Sequence, residues 1–408
     1  MTAIEVTADP AEVGVDADRL KRIDSRLARY VAEGRLPGWQ AVVTRRGQVV
    51  HASSHGLRDV ASNLPVEPDT LFRIYSMTKP VTSVAAMMLW EQGEFQLTDP
   101  IRKWLPEFAE PQVYVAGSDL APATVPATEP IRVRHLLTHT AGLTYGFMRS
   151  HPVDARYRSA GLDEFSNWTD SLAQMSQRWA AQPLVFQPGA EWQYSVATDV
   201  LGRLVEVISG MSLEAFFDKH ILGPLKMTDT SFVVAEANRS RLAELYNATP
   251  DGFLAAGKQS TAVLTARWPS GGHGLVSSAH DYHRFSQLLL RGGELDGVRL
   301  LAPSTVALMT TNHLPGGVDL AGYGRPLFAE SPMRGVGFGY GMSTTIDVPA
   351  SGMAGSVGDY GWGGLASTVF TVDPARELTM LFFTQLIPSS ALPLRALFRQ
   401  LVHQAIVA

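Results

Sequence analysis

FRIYSMTKPVTSVAAMMLWEQG, residues 72–93, sets a serine three places ahead of a lysine where an apolar helical pattern begins. Val81, Val84, Ala85, Met88 and Leu89 fall at i, i+3, i+4, i+7 and i+8, which predicts a helix closed by Gly93. Pro80 is tolerated only in a first turn, so the helix has to start close to Ser76, with local distortion before the proline. A lysine at that end is misplaced for the macrodipole, which favours anions there. Residues three apart on a helical turn have Cβ atoms roughly 5–6 Å apart, so the Lys79 amine can reach the Ser76 hydroxyl. A serine is a weak nucleophile until a neighbouring base takes its proton, and a lysine serves only when its amine is neutral. Burial at a helix N-terminus disfavours the cation and supplies that condition. The competing reading makes Ser76 a helix cap and Lys79 a snorkelling surface residue.

Outward from this segment, residues 18–33 carry apolar residues at helical spacing, and GWQAVVTRRGQVVHASSHG (38–56) reads as two strands around a short turn. At the other end, GLASTVFTVDPARELTMLFFTQL (364–386) reads as strand, Asp-Pro turn, strand, and residues 393–408 close the chain as an amphipathic helix. Both ends supply antiparallel strands with a packing helix, so they are expected to share one sheet. The fold class is therefore mixed α/β (α+β): residues 1–95 and 251–408 around an antiparallel sheet, residues 96–250 inserted as a mostly helical domain, and the active site between them. Within the insertion, LEAFFDKHIL (213–222) and DVLGRLVEVISG (199–210) are helix-like, whereas the proline-rich VAGSDLAPATVPATEP (115–130) reads as a surface loop. Residues 111–130 and 145–185 are long enough to cover a pocket and shape its alcohol side.

Composition narrows the function classes. The 408 residues are 45% hydrophobic, and a net charge of -5 from 34 basic and 39 acidic side chains is scattered rather than clustered. No basic face for nucleic acid or anionic lipid is formed. Cysteine is absent, which excludes disulfides, thiolate metal sites and cysteine nucleophiles. The N-terminus is acidic with no basic-then-apolar leader, and no apolar run approaches a membrane span, so a cytoplasmic location is expected. The glycine series GVGFGYG (335–341) lacks the following helix that would aim N–H groups at phosphate, and no cofactor is expected. His135 and His139, four apart in RHLLTHTAG, could share a helix face as zinc ligands, but there is no obvious third ligand; no metal is expected. A serine nucleophile elbow needs G-x-S-x-G, and A-G-S-V-G around Ser356 has alanine in its first position.

Two further segments raise the weight of the Ser76–Lys79 pair. In FQPGAEWQYSVATDVLGRLVEVISG (186–210), Tyr194 and Ser195 again stand just before an apolar helical pattern; in GDYGWGG (358–364), a glycine cluster lets bare backbone approach a ligand. The order S-x-x-K, Y-S, W-G-G resembles the serine β-lactamase and penicillin-binding superfamily, and more closely the family VIII carboxylesterases, which share the class C β-lactamase fold. VRHLLTHTAGLTYGF and SGGHGLVSSAHDYHRFSQLLL extend the likeness over nearly the whole chain. The resemblance implies Ser76 as acylated nucleophile, Lys79 as its partner and Tyr194 as a proton-exchanging group. Which of Lys79 and Tyr194 is the base stays open. It also implies an oxyanion hole of the Ser76 and Leu365 backbone N–H groups.

Departures from the β-lactamase pattern bear on substrate. Trp362 stands where K-T-G motifs carry the lysine that helps hold a carboxylate, and Val196 stands where an asparagine would contact an acylamide. Both make the pocket more apolar, and a wall of Tyr145, Trp362, Gly363 and Gly364 suits a neutral ester better than an anionic lactam. The expected activity is hydrolysis of short-chain neutral carboxylic esters through a serine acyl-enzyme, with a small-molecule ester as partner. Alternatives are an acyltransferase using the same intermediate, a β-lactamase or D,D-peptidase, and a catalytically silent penicillin-binding-like sensor.

Overall fold

The two ends of the chain meet in one antiparallel sheet of eight strands: β1 (Gly38–Arg45), β2 (Gln48–Asp59), β3 (Leu64–Pro65), β4 (Val336–Phe338), β5 (Ser343–Thr345), β6 (Tyr360–Gly363), β7 (Val369–Asp373) and β8 (Leu378–Phe383). Their spatial order is β4-β5-β6-β7-β8-β1-β2-β3. The register Gln40↔Phe383 to Arg45↔Leu378 joins the N-terminal hairpin directly to the C-terminal one, as expected from the sequence. The computed structural model describes residues 4–162, 170–252, 254–257, 264, 268–325 and 333–408.

Every residue of β1 and β8 is buried, because helices cover both faces of the sheet. One face carries α1 (Ala17–Ala32) and the last helix, so that Trp39, Val43, Met380 and Phe382 pack with Leu27 and Phe398. The other face sends Val42, Leu381 and Phe383 into a larger core that continues into the helical part of the molecule. The pleat makes this division: successive side chains alternate between the two clusters. We label the remaining helices used below α2 (Thr78–Glu91), α3 (Ala197–Ser209), α4 (Ala279–Leu290) and α5 (Leu394–His403). Tyr282 and Phe285 of α4 pack on the sheet, the Tyr282 ring lying 5.1 Å from that of Phe370.

A separate antiparallel pair positions the site. Leu71–Arg73 runs beside Val276–Ser278, with Phe72 opposite Ser277. The pair thus draws the segment entering α2 against residues some two hundred positions later. Ile74 N–H donates to Leu275 O at 3.1 Å, and Leu275 N–H to Thr78 Oγ1 at 3.1 Å.

One expectation fails. Residues 115–130 are not wholly loop: Gln112–Gly117 and Pro122–Pro126 form a hairpin with Val113 opposite Val125. Pro122 and Pro126 sit at the two ends of the second strand, where a missing N–H costs no interior ladder bond, so proline density did not mean absence of strand. Of the covering segment 145–185, residues 163–169 lie outside the described residues; the rest includes helices Pro152–Ser159 and Leu172–Ala180.

Candidate active site

α2 starts as the sequence predicts. A single 3-10 turn, Tyr75–Met77, precedes it, and Pro80 falls in the first helical turn, where its missing N–H has no intrahelical use. Tyr75 has φ +44°, a left-handed conformation that costs a bulky residue free energy and tends to cluster at functional sites. Ser76, which follows it, is the one residue between Leu71 and Met87 that is not buried. Burial pushes the Tyr75 phenol up to about 12, so it stays neutral beside the serine.

Lys79 is wholly buried. Its Nζ donates to Gly272 O at 2.8 Å, to Tyr145 Oη at 3.1 Å and toward Ser76 Oγ at 3.3 Å. It also lies 4.5 Å from the centroid of the Tyr194 ring, within cation–π range. The unfavourable helix end is thus offset by three oxygen acceptors and an aromatic face. The snorkelling alternative is excluded by the burial alone.

Tyr194 stands just before α3, held by its neighbours: Gln193 N–H donates to His139 O at 3.0 Å and Val196 N–H to Thr144 O at 3.3 Å. Its phenol oxygen accepts the Trp362 Nε1–H at 3.2 Å. Trp362 therefore substitutes for the motif's lysine with a neutral donor aimed at the tyrosine rather than a cation aimed at substrate. Two residues on, a Cβ placed on Gly364 would lie 2.4 Å from Ile74 O, so the strand end abuts the backbone beside Ser76 only because residue 364 is glycine. This contact brings Leu365 to the Ser76 side of the cavity, which it lines.

That cavity has a volume of about 700 Å³ and is walled by Ser76, Tyr145, Phe147, Tyr194, Trp362 and Leu365 among others, with Gly363 and Gly364 at its edge. Its far wall includes the ion pair of Asp359 and Arg399. Val196, expected to make the pocket apolar, instead points into the core with 2% exposure and takes no part in the wall. Tyr145 is more than the wall the sequence suggested, since its hydroxyl is a lysine partner and its ring stacks on Phe147 at 4.8 Å.

The two histidines face different surroundings. His135 Nδ1 accepts Arg132 N–H at 3.2 Å, and burial with nearby arginines lowers the imidazole to about 4. His139 is buried among Trp192, Tyr194 and Phe338, with Nδ1 3.1 Å from Ser195 Oγ. Burial, reinforced by the Lys79 charge, drives it well below the ordinary histidine range, so it is a neutral packing group under Tyr194. Among the described residues no group of three acidic or histidine side chains could hold a metal, and no helix is long and apolar enough to cross a membrane. Ser356 Oγ donates to Asp373 Oδ2 at 2.8 Å, a local turn contact rather than a nucleophile's setting.

Sequence analysis used the segment Ser270-Gly271-Gly272-His273 only as part of the family likeness and gave its residues no place in the site. Gly271 O accepts Thr82 Oγ1–H at 2.7 Å, one turn beyond Lys79, and Gly272 O is the lysine's shortest acceptor. Asp199, the third residue of α3, accepts from Ser270 Oγ at 2.5 Å and from Gly272 N–H at 2.9 Å. Since the Ser270 hydroxyl donates to Asp199, His273 Nδ1, 2.7 Å away, carries the proton and donates to Ser270 Oγ. The available signals were a double glycine and a charged residue inside an otherwise apolar helix face.

Comparison with known proteins gives the chain a family and relatives. The family model described as Beta-lactamase matches residues 23–404. Protein Rv1367c of Mycobacterium tuberculosis is 36% identical over 362 residues, covering 87% of each chain. Esterase EstB of Burkholderia gladioli is 33% identical over 408 residues, covering 94% of each. Among solved structures, EstCE1, described as a hydrolase with promiscuous acyltransferase activity, superposes with TM-score 0.79 at 28% identity over 95% of this chain and 99% of its own.

Proposed function

The chain belongs to the Beta-lactamase family and is a serine hydrolase of the acyl-enzyme kind, and from that premise we propose that it is a carboxylesterase acting on neutral esters with a short acyl group, closest to the family VIII enzymes. The observation that carries the proposal is a buried lysine amine 3.3 Å from the one half-exposed hydroxyl of its segment, opening on an apolar-walled cavity. Trp362 supports ester over lactam: its N–H is engaged by Tyr194, so that position offers no cation to hold a substrate carboxylate.

In the proposed cycle, Ser76 Oγ attacks the ester carbonyl as its proton passes to Lys79 or Tyr194. The tetrahedral oxyanion is met by the backbone N–H groups of Ser76 and Leu365, a term worth several kcal/mol of barrier. The same proton then goes to the departing alcohol oxygen. Water repeats the sequence on the acyl-enzyme, releasing the acid and restoring the serine.

A second reading is favoured by the volume of the cavity, about 700 Å³, which far exceeds what a short acyl chain fills. The space accommodates a bulky alcohol part, and equally an alcohol that accepts the acyl group in place of water. Turnover of p-nitrophenyl acetate, p-nitrophenyl butyrate and nitrocefin beside Ser76→Ala tests the proposal, with added alcohol to detect transfer. Ester turnover, little or no nitrocefin hydrolysis and an inactive variant are expected. Equal esterase rates in wild type and Ser76→Ala refute the nucleophile assignment.

A further inference from the structure

We infer that Asp199 is a positioning residue for the Ser76–Lys79 pair, fixing the Gly272 carbonyl against the lysine amine and placing a buried carboxylate behind it. The inference rests on the esterase reading above. Asp199 has no exposed surface. It belongs to the first turn of α3, where an acidic residue ordinarily serves its own helix's free N–H groups. Here the carboxylate leaves its helix: Oδ1 takes both the Ser270 hydroxyl and the Gly272 N–H, at 2.5 and 2.9 Å. Gly272 passes the constraint on, because its carbonyl accepts from Lys79 at 2.8 Å, and Lys79 in turn approaches Ser76 at 3.3 Å. Four residues from three separated segments thus form one unbroken chain of hydrogen bonds ending at the nucleophile.

The second carboxylate oxygen gives independent support. Asp199 Oδ2 is buried with no hydrogen-bond partner among the described residues, which is costly for a carboxylate and marks a group kept for something other than stability. It faces the same side as the lysine's partners: a Cβ on Gly272 would lie 2.5 Å from Asp199 Oδ2 and 3.0 Å from Tyr145 Oη. Residue 272 is therefore glycine because carboxylate, phenol and lysine converge on its backbone. No ion pair among the described residues includes Asp199, and its hydrogen bonds lead through Gly272 to Lys79.

The groups facing Lys79 are Ser76 on its own turn, Tyr145, Tyr194, His139 from the segment before them, and Asp199 behind Gly272. His139 is neutral, and Asp199 supplies the negative charge.

Asp199→Asn, which keeps shape and acceptor oxygen but loses the charge, is compared with wild type, Asp199→Ala and Ser76→Ala. Hydrolysis of p-nitrophenyl butyrate is followed across pH and thermal unfolding is recorded alongside. For Asp199→Asn, which weakens the charge-assisted bonds that hold Gly272, kcat should fall about 10- to 100-fold, as is typical for partners that orient a reacting group, with KM and melting temperature nearly unchanged. Should Asp199→Ala fail to fold, the Asn variant carries the test. Wild-type kcat in Asp199→Asn overturns the inference, as does a rate loss that simply follows a fall in melting temperature. If Ser76→Ala still turns over the ester, the esterase reading itself fails; if Ser76→Ala is dead and Asp199→Asn behaves as wild type, only the role of Asp199 fails.

Discussion

Tyr194→Phe removes one oxygen from the centre of the site and leaves its ring in place. In the native protein that ring packs 5.3 Å from Tyr145, 5.0 Å from His139 and 5.5 Å from Trp362, contacts a phenylalanine retains. What disappears is the acceptor for Trp362 Nε1–H at 3.2 Å. A neutral hydrogen bond contributes about 0.5–1.5 kcal/mol net, and the indole, half-exposed in the cavity wall, can turn to water instead. The structural loss is therefore about 1 kcal/mol, a shift of a few degrees at most in melting temperature. If it fell entirely on the transition state it would lower kcat about fivefold. A group that exchanges a proton with nucleophile or leaving oxygen contributes far more, about 10²- to 10⁴-fold, or ~2.7–5.5 kcal/mol of barrier. The two roles are separated by more than the uncertainty of either. Steady-state hydrolysis of p-nitrophenyl butyrate, with thermal unfolding of the same preparation, is expected to give a kcat loss of at least a hundredfold, a nearly native KM and a nearly native melting temperature. A kcat within fivefold of wild type would refute the proton-exchange role and leave Tyr194 as packing.

Gly272→Ala is expected to cost more than tenfold in kcat, because the added methyl collides with Asp199 Oδ2 and Tyr145 Oη and has to displace the Lys79 acceptors; native kinetics would contradict that geometry. Acid should destabilise the fold before it titrates the carboxylates. Burial lowers His283, 2.8 Å from Thr44 Oγ1, and His135 to about 4, against about 6.5 in an unfolded chain. The unfolded state then binds more protons between those values, so stability is complete above pH ~6.5 and declines as pH falls toward 4, by up to about 1.4 kcal/mol per pH unit for each histidine. Melting temperatures recorded from pH 7 to 4.5 should show the decline, and His283→Gln should make it shallower; a flat profile in the wild type would count against both assignments.

Ser76, Lys79 and Tyr194, which the structure brings together, could be singled out as candidates from the sequence because each stands where helical periodicity begins. The sheet was legible for a similar reason: short apolar runs in 38–56 and 364–386, bounded by glycine and Asp-Pro turns, mark strands, and two such ends have no better partner than one another. The lysine's environment was not. Its shortest hydrogen bond goes to a backbone carbonyl 193 residues away, which no residue identity encodes. Asp199 reaches Gly272 across 73 residues, and in sequence it looks like an ordinary acidic residue at a helix start. Val196 was misassigned because position before a helix does not reveal which way a side chain turns: its neighbour Tyr194 meets the cavity and it meets the core.

The placement of a lysine at the start of α2 follows from what its three oxygen partners can do. As an ammonium, Lys79 has three N–H donors, and Gly272 O, Tyr145 Oη and Ser76 Oγ accept one each. As a neutral amine it has two donors and one lone pair. Gly272 O is a carbonyl and can only accept, so it fixes one donor, and Tyr145 Oη takes the other. The lone pair then meets the Ser76 hydroxyl, whose hydrogen can reverse direction. One heavy-atom arrangement therefore satisfies the lysine with either two or three N–H donors, so a proton passing between Ser76 and the amine would require no rearrangement of the surrounding dipoles. A lysine on the surface would gain nothing from such a set. At this helix start Lys79 is held by Gly272 on one side and the aromatic rings on the other, in a geometry that serves both of its charge states.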